Sequence, residues 1–178
     1  MIRKLLHLSL AAMLLMGTWF GAATPALAAT EPPMFLAALP GVGGLFAGQR
    51  PDNLGVKADG KLAACPNSPN CVVSRPDADS EHAIAPITYS GDKAAAMEKL
   101  RSIVAGEPRT NIIEQSDDYL YAEFESRLMG FVDDVEFYLD PNESVIQVRS
   151  ASRLGQSDLG VNRKRIESIR SQFSEGQA

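Results

Sequence analysis

The stretch YLYAEFESRLMGFVDDVEFYLDPNESVIQVRSASR, residues 119–153, decides the fold. It holds three β-rich runs, 119–127, 131–139 and 145–153, separated by Leu128-Met129-Gly130 and by a polar stretch from Asp140 to Ser144. Separations this short join antiparallel neighbours, because a parallel pair needs a long crossover. Successive side chains leave a strand on opposite sides. One side collects Leu120, Ala122, Phe124 and Ser126, then Phe131, Asp133, Val135, Phe137 and Leu139, then Ile146, Val148, Ser150 and Ser152. That side is the expected core. The other collects Tyr121, Glu123, Glu125 and Arg127, then Val132, Asp134, Glu136 and Tyr138, then Gln147, Arg149 and Arg153.

Outward from this meander, 110–116 supplies one more strand and 84–89 another, ended by Ser90-Gly91. Asp92 is placed to cap a helix running to about Ala105, with Met97, Leu100 and Val104 at helical spacing. Gly106 and Pro108 end it. Ser157 or Asp158 then caps a last helix, which buries Ile166, Ile169 and Phe173. The expected fold is α+β, in the order β-α-β-β-β-β-α, an antiparallel sheet with two helices on one face and the other face left to water or a ligand. TATA-binding-protein-like and helix-grip folds share this order, an analogy that carries no function.

With those turns, Ser126, Asp133 and Ser150 fall in one row at the edge of the core. A carboxylate there needs donors, so the row is expected to be a polar network that fixes register, with a functional acid as the alternative. On the open face, Glu125, Asp134 and Arg149 share one expected row, and Glu123, Glu136 and Gln147 the next. Like charges directly opposite are unfavourable, and the fork of Arg149 offsets only the first pair. The face is either a solvated ladder of ion pairs or a binding surface built from Glu123, Glu125, Arg127, Asp134, Glu136, Arg149 and Arg153. Asp133 and Asp134 point to opposite faces and cannot share a proton, whereas Glu125 and Asp134 can. That pair, with Arg149, is the one catalytic geometry in view, that of a small hydrolase or isomerase. The free N–H groups beyond Ser157 and Asp158 are a weaker anion site, since capping uses the same atoms.

The chain has 178 residues, enough for one domain, with 17 basic against 22 acidic side chains and a net charge of -5. That balance argues against a nucleic-acid surface. Two cysteines and two histidines are too few for a zinc framework, and no cofactor or metal is expected. Residues 1–28 have the form of a signal peptide, with Arg3 and Lys4, an apolar run from Leu5 to Phe20, and Ala26-Leu27-Ala28 as the cleavage site. An uncleaved anchor is the alternative. Cleavage after Ala28 removes Trp19, the sole tryptophan, and takes the net charge to -7. Residues 29–61 carry Pro32, Pro33, Pro40, Pro51 and several glycines and read as a flexible linker, though Met34, Phe35, Leu36, Leu39, Leu45 and Phe46 are apolar enough to touch the domain, a membrane or a partner. The domain is expected over 62–173, with a disordered tail at 174–178. In CPNSPNC (65–71), two prolines and two asparagines fold the chain back and bring Cys65 to Cys71. In an exported protein this pair is most simply a disulfide, contributing about 2 kcal/mol. A serine-histidine-aspartate site would have to use His82, with no nucleophile motif beside it.

The blocks CPNSPNCVVS (65–74), ESRLMGFVDDVEF (125–137) and VRSASRLGQSDLGVNRKRIESIR (148–170) resemble the signature of the family catalogued as domain of unknown function 1499. The matching positions include Asn70, Asp133, Asp134, Glu136, Arg149, Ser150, Ser152, Arg153, Asn162 and Arg163. The resemblance, with the lead RPDNLGV (50–56), implies an exported member of the cyanobacterial and chloroplast kind, in the periplasm or thylakoid lumen. It supplies no activity. The expected function is therefore a binding or assembly module, with a protein or a small polar ligand as partner and membrane contact confined to the N-terminal segment.

Overall fold

In the computed structural model, which describes residues 46–175, the antiparallel meander forms as the alternation of side chains dictates. The elements are β1 (Cys71–Val73), β2 (Ile87–Thr88), α1 (Lys93–Gly106), β3 (Thr110–Gln115), β4 (Tyr119–Glu125), β5 (Val132–Leu139), β6 (Val145–Ser152) and α2 (Val161–Ser174). The six strands form one antiparallel sheet in the order β1-β6-β5-β4-β3, with β2 also on β6. Strand β6 uses its first residues against β2 and its last against β1, so two short strands share one long neighbour. The sequence hides β1 because it is three residues long and follows the cysteine loop directly. The expected strand over 84–89 shrinks to Ile87–Thr88.

Both helices lie on the predicted side. Met97, Leu100 and Val104 of α1 and Ile166, Ile169 and Phe173 of α2 join Leu120, Phe124, Val135, Phe137, Ile146 and Val148 in one core. Asp92 caps α1 as expected, accepting from the Ala95 N–H at 2.9 Å. The start of α2 differs. Its cap position is Gly160, in the left-handed conformation that glycine adopts without strain. Asp158 serves from two residues upstream, accepting from the Gly160 and Asn162 N–H groups at 2.9 and 2.7 Å.

The pairing within the meander departs from expectation by two residues. Ser126 and Phe131 close the β4–β5 turn, with Ser126 N–H to Phe131 O at 2.8 Å and Phe131 N–H to Ser126 Oγ at 2.9 Å. Asp140 N–H to Val145 O, at 3.0 Å, closes the next. A slide of two residues keeps every side chain on its face but changes its neighbours. Glu123 therefore stands opposite Asp134, and Glu136 stands between Tyr121 and Arg149. Glu125 stands opposite Val132, not Asp134.

The second face is not open. Residues 50–61, expected to belong to a linker, cross it together with Leu62, the first residue of the expected domain, as a strap (50–62) that packs Leu54 and Leu62 against Tyr119, Tyr121 and Tyr138. With the helices over one side and the strap over the other, all eight residues of β5 are buried. Residues 1–45, with the expected signal segment and the rest of the linker, lie outside the described residues, as does the end of the tail. Cys65 and Cys71 are disulfide-bonded.

Candidate functional site

The second face is lined by alternate residues of β4, β5 and β6, so its charges are fixed by the strands and closed by the strap. Glu136 is fully buried, and Asp134 is 1% exposed. Buried carboxylates are tolerated only when paired and hydrogen-bonded. Each of these has its donors. Glu136 accepts from the Gly55 N–H of the strap at 2.7 Å, from the Tyr119 hydroxyl at 2.8 Å and from Arg149 Nη1 at 3.2 Å. Asp134 accepts from the Tyr121 hydroxyl at 2.6 Å and from Arg153, whose Nε reaches Oδ2 at 3.0 Å and whose Nη2 reaches Oδ1 at 2.7 Å.

Glu123 and Asp134, like charges directly opposite, are bridged. Arg153 Nη2 also donates to Glu123, and Arg50 of the strap donates to the same carboxylate from Nε at 2.9 Å and from Nη2 at 2.6 Å. Burial pushes the Glu123 carboxyl up, but bonds from Arg153, Arg50 and Tyr121 outweigh it and hold it below its ordinary range. Burial, reinforced by the neighbouring carboxylates, raises Tyr119 and Tyr121 well above a free phenol, so both act as donors.

The expected rows therefore dissolve into two closed clusters, Glu136–Arg149–Tyr119 and Glu123–Arg153–Asp134–Tyr121. Glu125 and Arg127 lie exposed at the β4–β5 end, outside both. The shared proton between Glu125 and Asp134 has no geometry here, because they are not opposite one another.

The polar row on the core side is rearranged too. Asp133 meets Arg165 Nη2 at 2.6 Å, and Arg165 Nη1 reaches Ser150 Oγ at 3.1 Å and Asn162 Oδ1 at 2.7 Å. Asn162 donates to Asn70 O at 3.0 Å and to Ser152 Oγ at 2.9 Å. Asp133 and Ser150 thus belong to one network through Arg165, while Ser126 belongs to the turn. Asn162, fully buried at the first turn of α2, is the hub. No pattern of spacing marked Asn162 as the hub, since a lone asparagine in a helix reads as surface. Ser157 is exposed, and Asp158 occupies the N–H groups that an anion would need. Arg163 donates to the carbonyls of Ala83 and Glu81, both at 2.8 Å, rather than facing solvent.

His82 is buried beside the disulfide loop. Its Nδ1 lies 2.8 Å from Asp79 Oδ2 and its Nε2 lies 3.1 Å from Ser68 O. Both ring nitrogens face acceptors, so the doubly protonated ring satisfies the site. The hydrogen bond to Asp79 raises the His82 pKa, and the same bond lowers that of Asp79. Ser68 Oγ donates to Asn70 instead, so no hydroxyl nucleophile faces the ring. With the folded pKa raised, the contribution of His82 is complete below the unfolded value of about 6.5. It is lost as pH rises through the folded value. We expect the urea midpoint to fall from about pH 6 to about pH 9 in the wild type, and less so in His82→Gln.

Two cavities flank the strap. One, of about 410 Å³, is walled by Leu62, Val73, Ile84 and Pro86, with Arg75, Glu143 and Gln147 at its polar side. Ser74, also in its lining, is structural: its Oγ accepts from the Val148 N–H at 2.8 Å and donates to Gln147 Oε1 at 2.7 Å. The other, of about 340 Å³, lies against Asp134, Arg149 and Arg153. Among the described residues no group of three or more His, Cys, Asp or Glu side chains is placed to hold a metal. No helix there is long and apolar enough to cross a membrane.

No curated protein matches the chain. The family described as Protein of unknown function (DUF1499) matches residues 61–173, more than half of the chain, and the chain belongs to that family.

Proposed function

We propose that this protein is a non-enzymatic binding module of an exported, oxidising compartment, taking a small polar ligand at the flanks of the strapped sheet face. One observation carries this. The buried carboxylates of that face are each matched to an arginine, and the strap divides what remains into two cavities of small-ligand size. Acid–base chemistry needs a group free to exchange a proton in reach of a substrate. Glu125 and Asp134, the pair that a hydrolase or isomerase would use, are not neighbours. The Cys65–Cys71 bond and the leader-like residues 1–28 support export. The periplasm or thylakoid lumen is the compartment that the resemblance favours. Any membrane contact would fall to the N-terminal segment.

The test has two arms. Protein purified from expressing cells should begin at Ala29 and lack tryptophan emission, and a chain still beginning at Met1 would overturn export. A thermal-shift panel of small polar metabolites should contain compounds that stabilise the protein, with generic ester and phosphate substrates left unhydrolysed. Turnover, or a panel without any stabilising compound, would overturn the module.

A further inference from the structure

Among the described charged side chains of the strapped face, Arg149 is the one with a buried donor atom left without a partner. Its side chain is 4% exposed. It makes one hydrogen bond, to Glu136 Oε2 at 3.2 Å, and its Nε is buried without a partner. Its carboxylate is by contrast well supplied, since Glu136 also takes the Tyr119 hydroxyl and the Gly55 N–H. Arg153, just past the end of β6, uses its Nε and Nη2 on Asp134, Glu123 and the Tyr121 hydroxyl. A buried guanidinium donor left unpaired is costly and uncommon.

Arg149 also lines the cavity of about 340 Å³ beside the disulfide, with Asn53, Cys65, Pro66, Asp134 and Arg153. The disulfide and β6 fix this wall from two sides, so the site is held by the fold itself. Its charged lining is Arg149, Arg153 and Asp134, and both arginines are already ion-paired, to Glu136 and to Asp134 and Glu123, so the site carries no excess positive charge. A monocarboxylate adds the least negative charge while accepting from the spare donors of Arg149. A dianionic phosphate would add twice as much and lie beside Asp134, where like charges repel. Arginine's planar fork suits a carboxylate, and Pro66 offers an apolar wall to a short aliphatic body.

We propose that this cavity binds a small monocarboxylate through the guanidinium of Arg149. The proposal rests on the binding-module function and names its ligand class.

The experiment follows the arginine Nε–H resonances of the ¹⁵N-labelled protein at constant ionic strength. Butyrate, butyramide and inorganic phosphate are titrated separately. One resonance, missing from Arg149→Lys, should move saturably with butyrate. Butyramide and phosphate should bind at least about tenfold more weakly, and Arg149→Lys should weaken butyrate by at least about tenfold. Lysine keeps the ion pair to Glu136, so this variant is expected to fold. A second variant, Ala151→Leu, fills the cavity from the strand and leaves Arg149 in place, and it should abolish the butyrate response. The site is overturned if butyramide matches butyrate, if phosphate binds more tightly, if the moving resonance survives in Arg149→Lys, or if none moves. If butyrate fails while another compound of the metabolite panel stabilises the protein, the monocarboxylate site falls and the module stands. If nothing stabilises it, both fall.

Discussion

Replacing Arg153 with methionine is expected to lower the free energy of unfolding by about 3–5 kcal/mol. Arg153 is 6% exposed at its side chain and holds two carboxylates at once, Asp134 at 1% and Glu123 at 18%. Removing it leaves Asp134 buried with only the Tyr121 hydroxyl, and sets Glu123 directly across from it with Arg50 alone to compensate. The cost is mainly that of an uncompensated buried charge, not the worth of the pair. The double variant Asp134→Asn, Arg153→Met removes both members and should recover about 1–3 kcal/mol of the loss. Urea unfolding of the two single variants and the double variant gives the coupling directly. A single-variant cost below about 1 kcal/mol would place Arg153 among solvent-screened surface pairs and contradict the closed face.

The faces of the sheet were legible because they depend only on parity. Phe124, Val135 and Val148 alternate with charged or polar neighbours, and any register of even offset buries the same set. The rows were not legible, because register depends on where each turn closes. Ser126 closes the first turn through its hydroxyl, one of several positions in 126–131 compatible with the composition. The strap was hidden for a different reason. Leu54 and Leu62 are isolated apolar residues among prolines, glycines and charges, and their partners, Tyr119, Tyr121 and Tyr138, are more than fifty positions away. Local pattern carries no information about a contact of that separation. Arg50 and Gly55 were likewise invisible as partners of Glu123 and Glu136, though the lead that contains them drew notice through the family resemblance. The cysteine loop was the opposite case. A six-residue separation with prolines inside it nearly dictates the bond.

The second large effect is expected on the core side, at Asn162. Its side chain joins three parts of the chain that are far apart in sequence. It donates to the carbonyl of Asn70 beside the disulfide and to Ser152 at the end of β6, and it accepts from Ser150 and Arg165. Leucine has nearly the same shape and can make none of these bonds. Asn162→Leu would leave the Ser150 hydroxyl proton and one Arg165 donor without an acceptor inside a buried site, and would leave the Asn70 carbonyl with the Ser152 N–H alone. Each unsatisfied group costs about 1–3 kcal/mol, so a total near 3 kcal/mol or more is expected. Ser152→Ala removes a single acceptor at the half-buried edge of the same network and should cost about 1 kcal/mol. The two differ in reach as well as in size. Asn162 ties the first turn of α2 to the disulfide loop, so its loss should speed amide exchange across residues 161–166 and around 70–73 before the rest of the sheet. Exchange that rises uniformly, or an Asn162→Leu cost no larger than that of Ser152→Ala, would show that packing of Ile166, Ile169 and Phe173 alone seats the helix.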